Sequence, residues 1–356
     1  MRLTSKAALA AAALANIAAM LVTLDVSAGG SIGTCDARSA GTAALPVIWR
    51  TPAEHSELDR WCRGVGPAIV LPAPAQPVAS TPPPLHDLVV VTWNAHLAEG
   101  RLEELVAALR AGRFTAGARV ERFVLLVQEL YRRGPDVPPP TVDTRSAFAI
   151  TARQPDAPDA ADFARTLGLS FIYVPSMRNG ANVQEDRGNA VISTEPLTTA
   201  VALELPLERQ RRVAIAVTVD VATPAGAKRL AVIDAHLEPL SSPRKLWFFH
   251  NPRPRQLRAI LDLAASNAFG RSEDLAGIVL GGDFNTIQGG TAEPAYALAR
   301  AWSEDLDVED PRSTHRMGRL DYLFFKSRNE WRLSTTRMND RFGSDHHPVL
   351  GRFAPE

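Results

Sequence analysis

Residues 88–93 read Leu-Val-Val-Val-Thr-Trp, an unbroken and largely β-branched run. That is the pattern of a strand covered on both faces. Val120 to Val127 repeats it. Asn189–Ser193, Ala200–Leu205, Arg212–Val221, Arg229–Ala235, Ile278–Gly281 and Leu320–Phe325 predict further short strands. Between them, Arg101–Ala111 places Leu102, Leu105 and Leu109 on one side of a helix, and Arg255–Ala268 and Pro294–Trp302 also read as helices. Strands mixed with amphipathic helices predict an α/β domain, and no solenoid-type repeat is present. Polar residues stand where apolar runs stop: Asn94, Glu129, His236 and Asp283. Side chains at the ends of buried strands line a cleft along one edge of a sheet.

The N-terminus reads as an address. Arg2 and Lys6 precede an uncharged stretch, Ala7–Leu24, and Val26-Ser27-Ala28 supplies a small-x-small cleavage pattern. This predicts a signal peptide over residues 1–28 and an exported protein, secreted or periplasmic, with a retained membrane anchor as the alternative. Cys35 and Cys62 are the only cysteines, and in an oxidising compartment the pair suggests a disulfide within a small extension, residues 29–70. Residues 71–85 form a proline-rich linker. Tyr131 to Pro158, with three consecutive prolines from Pro138, is expected as a surface loop.

The chain has 356 residues; hydrophobic side chains at 46% allow a substantial core. Its 39 basic and 39 acidic side chains cancel, which counts against reliance on a broad basic surface for duplex DNA.

Hydrolysis of a phosphoester needs a divalent cation, a base that positions water, and donors for the transition state. Candidates occur in order: Thr92-Trp93-Asn94, Val127-Gln128-Glu129, Arg187-Gly188-Asn189-Ala190, Asp234-Ala235-His236-Leu237, Gly282-Asp283-Phe284-Asn285, Arg319-Leu320-Asp321-Tyr322 and Ser344-Asp345-His346-His347-Pro348. Each alone is weak; together they resemble the motif set of the endonuclease/exonuclease/phosphatase superfamily, which includes DNase-I-like nucleases, sphingomyelinases and inositol-polyphosphate phosphatases. The resemblance does not reach residues 1–85.

It implies a four-layer α/β/β/α sandwich of two mixed sheets over residues 86–354. It also implies a metal-dependent hydrolase of phosphoester, chiefly phosphodiester, bonds, using Mg²⁺, with Mn²⁺ or Ca²⁺ as alternatives. By resemblance, Glu129, Asn94 and Asp345 hold the metal, and Asn94 and Asn189 also contact substrate. Asp283 orients or deprotonates the attacking water, Asn285 contacts phosphate or nucleophile, and His236 donates to a phosphate oxygen. His346 is the essential histidine, and Asp321 orients it. The same residues have bland readings: a turn aspartate at 283, a turn asparagine at 189, a structural His347, an outlying His96, and a Gln128 that only shapes the site.

Pro243 to Arg255 gathers Arg244, Lys245, Arg253 and Arg255 around Trp247, Phe248 and Phe249, with no acidic residue. It suits a nucleic-acid strand, a phospholipid surface, or plain core packing. No obligate protein partner is inferred. The rival class is a non-catalytic binding protein on the same scaffold, whose mark would be missing ligands; Glu129, Asp283, Asn285 and His346 are all present.

Overall fold

The computed structural model describes residues 45–51, 56–72, 81–141, 159–178, 183–239, 251–286, 293–303, 310–328 and 331–355. The expected signal peptide, Cys35, and Trp247, Phe248 and Phe249 lie outside the described residues. Cys62 is buried. Among the described residues no helix is long and apolar enough to cross a membrane.

The strands are β1 (Val47–Arg50), β2 (Ile69–Leu71), β3 (Leu88–Asn94), β4 (Arg122–Arg133), β5 (Ser170–Arg178), β6 (Glu185–Ser193) and β7 (Leu197–Glu204). They continue with β8 (Val213–Thr223), β9 (Gly226–His236), β10 (Leu275–Asp283), β11 (Asp321–Ser327), β12 (Trp331–Arg337) and β13 (Val349–Pro355). The helices are α1 (Ser56–Arg63), α2 (Leu102–Arg110), α3 (Ala160–Leu167), α4 (Arg253–Ala265) and α5 (Pro294–Ser303).

Two sheets form, ordered β1-β7-β8-β9-β10-β11 and β12-β13-β3-β4-β6-β5-β2. Both are mixed. β3 pairs parallel with β4 across α2, and β9 parallel with β10 across α4, because parallel neighbours need a crossover. Three apolar layers follow. One lies between the sheets, with Val90, Leu126 and Val191 against Ile215, Val232 and Val279. A second packs Val91, Trp93 and Phe123 against Leu105 and Leu109 of α2 and Phe163 of α3. The third packs Ile233 and Leu280 against Leu257 and Ile260 of α4 and Tyr296 of α5. Three cores separate four layers, giving the α/β/β/α sandwich.

The residues before the linker join this sandwich. β1 pairs parallel with β7, and β2 pairs antiparallel with β5, so each sheet takes one edge strand from that stretch. The linker ends on the domain as well: Pro83 O accepts the Ala222 N–H at 2.8 Å.

Strand periodicity places the polar residues. Val90, Leu126, Val191, Val232, Val279 and Leu323 face the inter-sheet core, and successive side chains alternate between faces. Counting by twos along each strand puts Asn94, Gln128, Asn189, Arg187, Asp234, His236, Asp283 and Asp321 on that same inner face. The apolar layer between the sheets therefore gives way to a polar cluster at one end.

Candidate active site

Asn94, His236 and Asp283 are the last residues of β3, β9 and β10, as expected, but Glu129 is not at a strand end. β4 runs on to Arg133, and Glu129 sits in a register shift between Val127 and Leu130 with φ +56°. An extra residue in one strand breaks the alternation, so Gln128 keeps the inner face while Glu129 leaves the pattern. Tyr131–Arg133 are consequently strand rather than loop, and Tyr131 is buried.

Asp283 is the centre. Its Oδ2 accepts from Asn94 Nδ2 at 3.0 Å, and lies 3.6 Å from His236 Nε2 and 4.0 Å from His346 Nε2. Its Oδ1 accepts the Asn285 N–H at 2.8 Å. Burial, reinforced by Asp321, raises Asp283 to about 7. Asn285, at φ +53°, donates its Nδ2 to Leu237 O at 3.0 Å, which ties the loop after β10 to the end of β9.

His346 Nδ1 lies 2.8 Å from Asp321 Oδ2, both side chains out of solvent. Burial alone would lower this imidazole, but Asp321, Asp283 and Asp345 outweigh it and hold it at about 10. Ser344 supports the arrangement: its Oγ donates to Asn94 O at 2.7 Å and accepts the His346 N–H at 3.0 Å. Trp93 Nε1 donates to His346 O at 3.1 Å. His236 moves the other way, pushed well below the ordinary histidine value by burial and then by Arg212 and Arg187. Two histidines on one carboxylate thus differ in charge at neutral pH.

The loop after β3 links the two expected metal residues. His96, Leu97 and Ala98 take φ values of 45°, 56° and 56°, which turns successive N–H groups toward the site. His96 N–H donates to Asn94 Oδ1 at 2.9 Å, and Leu97 N–H to Glu129 Oε2 at 3.2 Å. Among the described residues the Leu97 N–H is the only hydrogen-bond donor to the Glu129 carboxylate, which lies 3.9 Å from Arg187 Nη1. A carboxylate with spare lone pairs is the kind of oxygen ligand that suits a hard divalent ion. Among the described residues, two groups of histidine and acidic side chains bring donor atoms within 4.8 Å of one another, Asp283, Asp321 and His346, and His315, Asp345 and His346, and Glu129 is in neither.

Asp345 is placed among imidazoles: His96 Nδ1 lies 3.1 Å away, His315 Nε2 3.2 Å and His346 Nε2 3.8 Å. Asn189 is no turn residue. It lies within β6, buried, and its Nδ2 crosses between the sheets to Val213 O at 2.9 Å. Gln128 bridges the sheets too, donating to Asp234 Oδ1 at 2.6 Å. His347 points elsewhere, accepting from Arg341 Nε at 3.0 Å.

Three residues were given no role from sequence. Arg187, inside a quoted motif, and Arg212, just before β8, are buried guanidiniums whose charge reaches His236. Arg212 Nη2 donates to Gln210 at 2.8 Å, while its Nε makes no hydrogen bond among the described residues. The signal for Arg212 was the Arg209-Gln210-Arg211-Arg212 run entering an apolar strand, since a buried strand seldom opens on cations without use for them. His315 is the third, and no pattern marks it.

The model of the endonuclease/exonuclease/phosphatase family matches residues 91–346. No curated protein matches the chain in sequence. Among solved structures, the human Nocturnin catalytic domain with bound sulfate is 18% identical, with TM-score 0.47, covering 78% of this chain and 97% of that one. Truncated Caenorhabditis elegans TDP2 is 14% identical, TM-score 0.42, covering 74% and 96%. Sphingomyelinase C from Streptomyces griseocarneus is 16% identical, TM-score 0.39, covering 74% and 98%. Likenesses this distant add nothing about chemistry.

Proposed function

The chain belongs to the endonuclease/exonuclease/phosphatase family, and from that premise we propose that it is an exported, Mg²⁺-dependent phosphodiesterase acting on a nucleic acid or a phospholipid by direct attack of water. The observation that carries this reading is the convergence on Asp283 Oδ2 of Asn94, His236 and His346, within 4.0 Å and from three separate segments.

Glu129 and Asn94 would hold the cation, with Asp345 as the third expected ligand. When bound, the ion neutralises phosphate charge and polarises the ester. Asp283, held at about 7, is matched to accept a proton from water near neutrality. Asn94 Nδ2 and the Asn285 N–H fix its two oxygens, which sets the direction from which water attacks. His346, kept charged by Asp321, supplies a cationic donor to the phosphoryl oxygens. His236, neutral, adds a donor without adding repulsion to the flanking guanidiniums. Attack in line with the leaving group inverts phosphorus and needs no covalent enzyme intermediate.

Turnover of bis(p-nitrophenyl) phosphate tests the class: activity should vanish with a chelator and return with Mg²⁺. Metal-independent turnover would overturn the metal-dependent mechanism, and no turnover on any phosphoester would favour the non-catalytic alternative. Plasmid DNA, sphingomyelin vesicles and inositol phosphates compared side by side decide the substrate. Export is tested by fractionating cells and sequencing the mature N-terminus.

A further inference from the structure

The segment before β11 is bolted to the catalytic pair. Thr314 Oγ1 accepts the Leu320 and Asp321 N–H groups at 3.0 and 3.2 Å, and Thr314 O accepts the His347 N–H at 2.8 Å. The next residue, His315, exchanges both backbone hydrogen bonds with Gly318 at 3.0 Å, closing a turn. Within this turn the Met317 N–H donates to His315 Nδ1 at 3.2 Å. An imidazole nitrogen that accepts an N–H carries no proton of its own, so the ring proton sits on Nε2. Nε2 lies 3.2 Å from Asp345 Oδ2, and the ring stacks on His346 with centroids 4.7 Å apart and planes 24° from parallel.

Asp345 shows what this achieves. Its Oδ1 is out of solvent and makes no hydrogen bond among the described residues, with His96 Nδ1 at 3.1 Å and His346 Nε2 at 3.8 Å. A buried carboxylate oxygen without a donor is costly, and a free side chain would rotate to satisfy it. We propose that His315 is a positioning residue: its Nε2–H locks Asp345 Oδ2, so that Oδ1 stays turned toward His346, where a cation or a donor from the substrate completes it. The ring face meanwhile limits the tilt of His346. This deepens the phosphodiesterase reading and rests on it for its kinetic consequence.

The test compares His315→Ala with His315→Gln, whose amide Nε2 can still donate to Asp345, using a soluble chromogenic phosphodiester with Mg²⁺. Groups that orient ligands from behind typically matter about 10–100-fold. His315→Ala should lower kcat by about that factor with KM within about twofold, and His315→Gln should recover most of it. Adding His315→Ala to Asp345→Asn should cost little more, because His315 acts only through Asp345. Long-range ¹⁵N–¹H spectra of the wild-type imidazoles should show His315 protonated at Nε2. Wild-type kcat in His315→Ala, no recovery with glutamine, additive losses, or an Nδ1-protonated ring would each overturn the proposal. Should the wild-type chain prove inactive on every phosphoester, the functional reading fails separately. The tautomer, and the Asp345 rotamer in a His315→Ala crystal, then decide this one: an unmoved Asp345 refutes it.

Discussion

Asp321 Oδ2 and His346 Nδ1 are 2.8 Å apart across a buried contact, although 25 positions separate them in sequence. β11 begins at Asp321 on the six-stranded sheet, while His346 lies in the loop leading to β13 on the seven-stranded one. The pair therefore holds only when both sheets are packed, which couples the charge on His346 to the integrity of the sandwich. His346→Ala should lower kcat by about 10²–10⁴-fold, the range for a positioned proton-transfer or charge-stabilising group. Circular dichroism should show the fold retained, and an active variant would refute the role.

The same contact gives stability a pH dependence. In the folded chain His346 keeps its proton up to about 10, whereas an unfolded histidine releases it near ~6.5. Its contribution is full below about 6.5 and is lost as pH climbs through 10. Urea midpoints of the metal-free wild type and His346→Gln should diverge most at pH 6 and converge toward pH 10. A constant difference would mean the pair carries no net charge linkage.

Much of this was legible in the sequence, for a reason visible in β3. Val90 and Asn94 differ by an even number, so a strand burying one on the inner face must present the other there too. The same rule carried His236 and Asp283. It failed at Glu129, because the register shift there involves no glycine and nothing in Val127-Gln128-Glu129-Leu130 announces it. β5 escaped notice because Pro175 reads as a breaker, while the structure absorbs it at an irregularity between Pro175 and Met177. β1 and β2, at four and three residues, are too short to show a period. His315 sits in a turn, where no periodicity exists to mark it.

Gln128 and Asp234 meet between the sheets, Nε2 to Oδ1 at 2.6 Å, and leave Gln128 Oε1 and Asp234 Oδ2 without partners among the described residues. Burial raises Asp234 well above the usual carboxylate range. Its folded value exceeds its unfolded one, so it weakens the fold as pH rises above ~3.9. Asp234→Asn is neutral at every pH and offers an N–H to the orphaned oxygen. The melting temperature at pH 7 should hold or rise. Asp234→Ala should instead cost about 1–3 kcal/mol by removing the hydrogen bond that joins the two sheets. Thermal melts of both variants check this, and a destabilised Asn variant would show that Asp234 is held ionised.

Gly282 controls how β10 delivers Asp283. It pairs with Ala235 of β9 at φ +142°, a conformation L side chains rarely adopt, and an added Cβ would collide with the Ala235 carbonyl oxygen. That carbonyl belongs to the residue before His236, so the clash could be relieved only by parting β9 from β10 where both present site residues. Gly282→Ala should therefore cost about 3 kcal/mol or more and remove activity with it. Gly226, also at positive φ and the first residue of β9, meets nothing among the described residues within 4 Å of its would-be Cβ and controls for strain alone. Gly226→Ala should lose only about 1–2 kcal/mol and retain kcat. Denaturant titration with parallel activity assays separates the two, and equal losses would show that backbone strain rather than the β9–β10 approach is what glycine provides at 282.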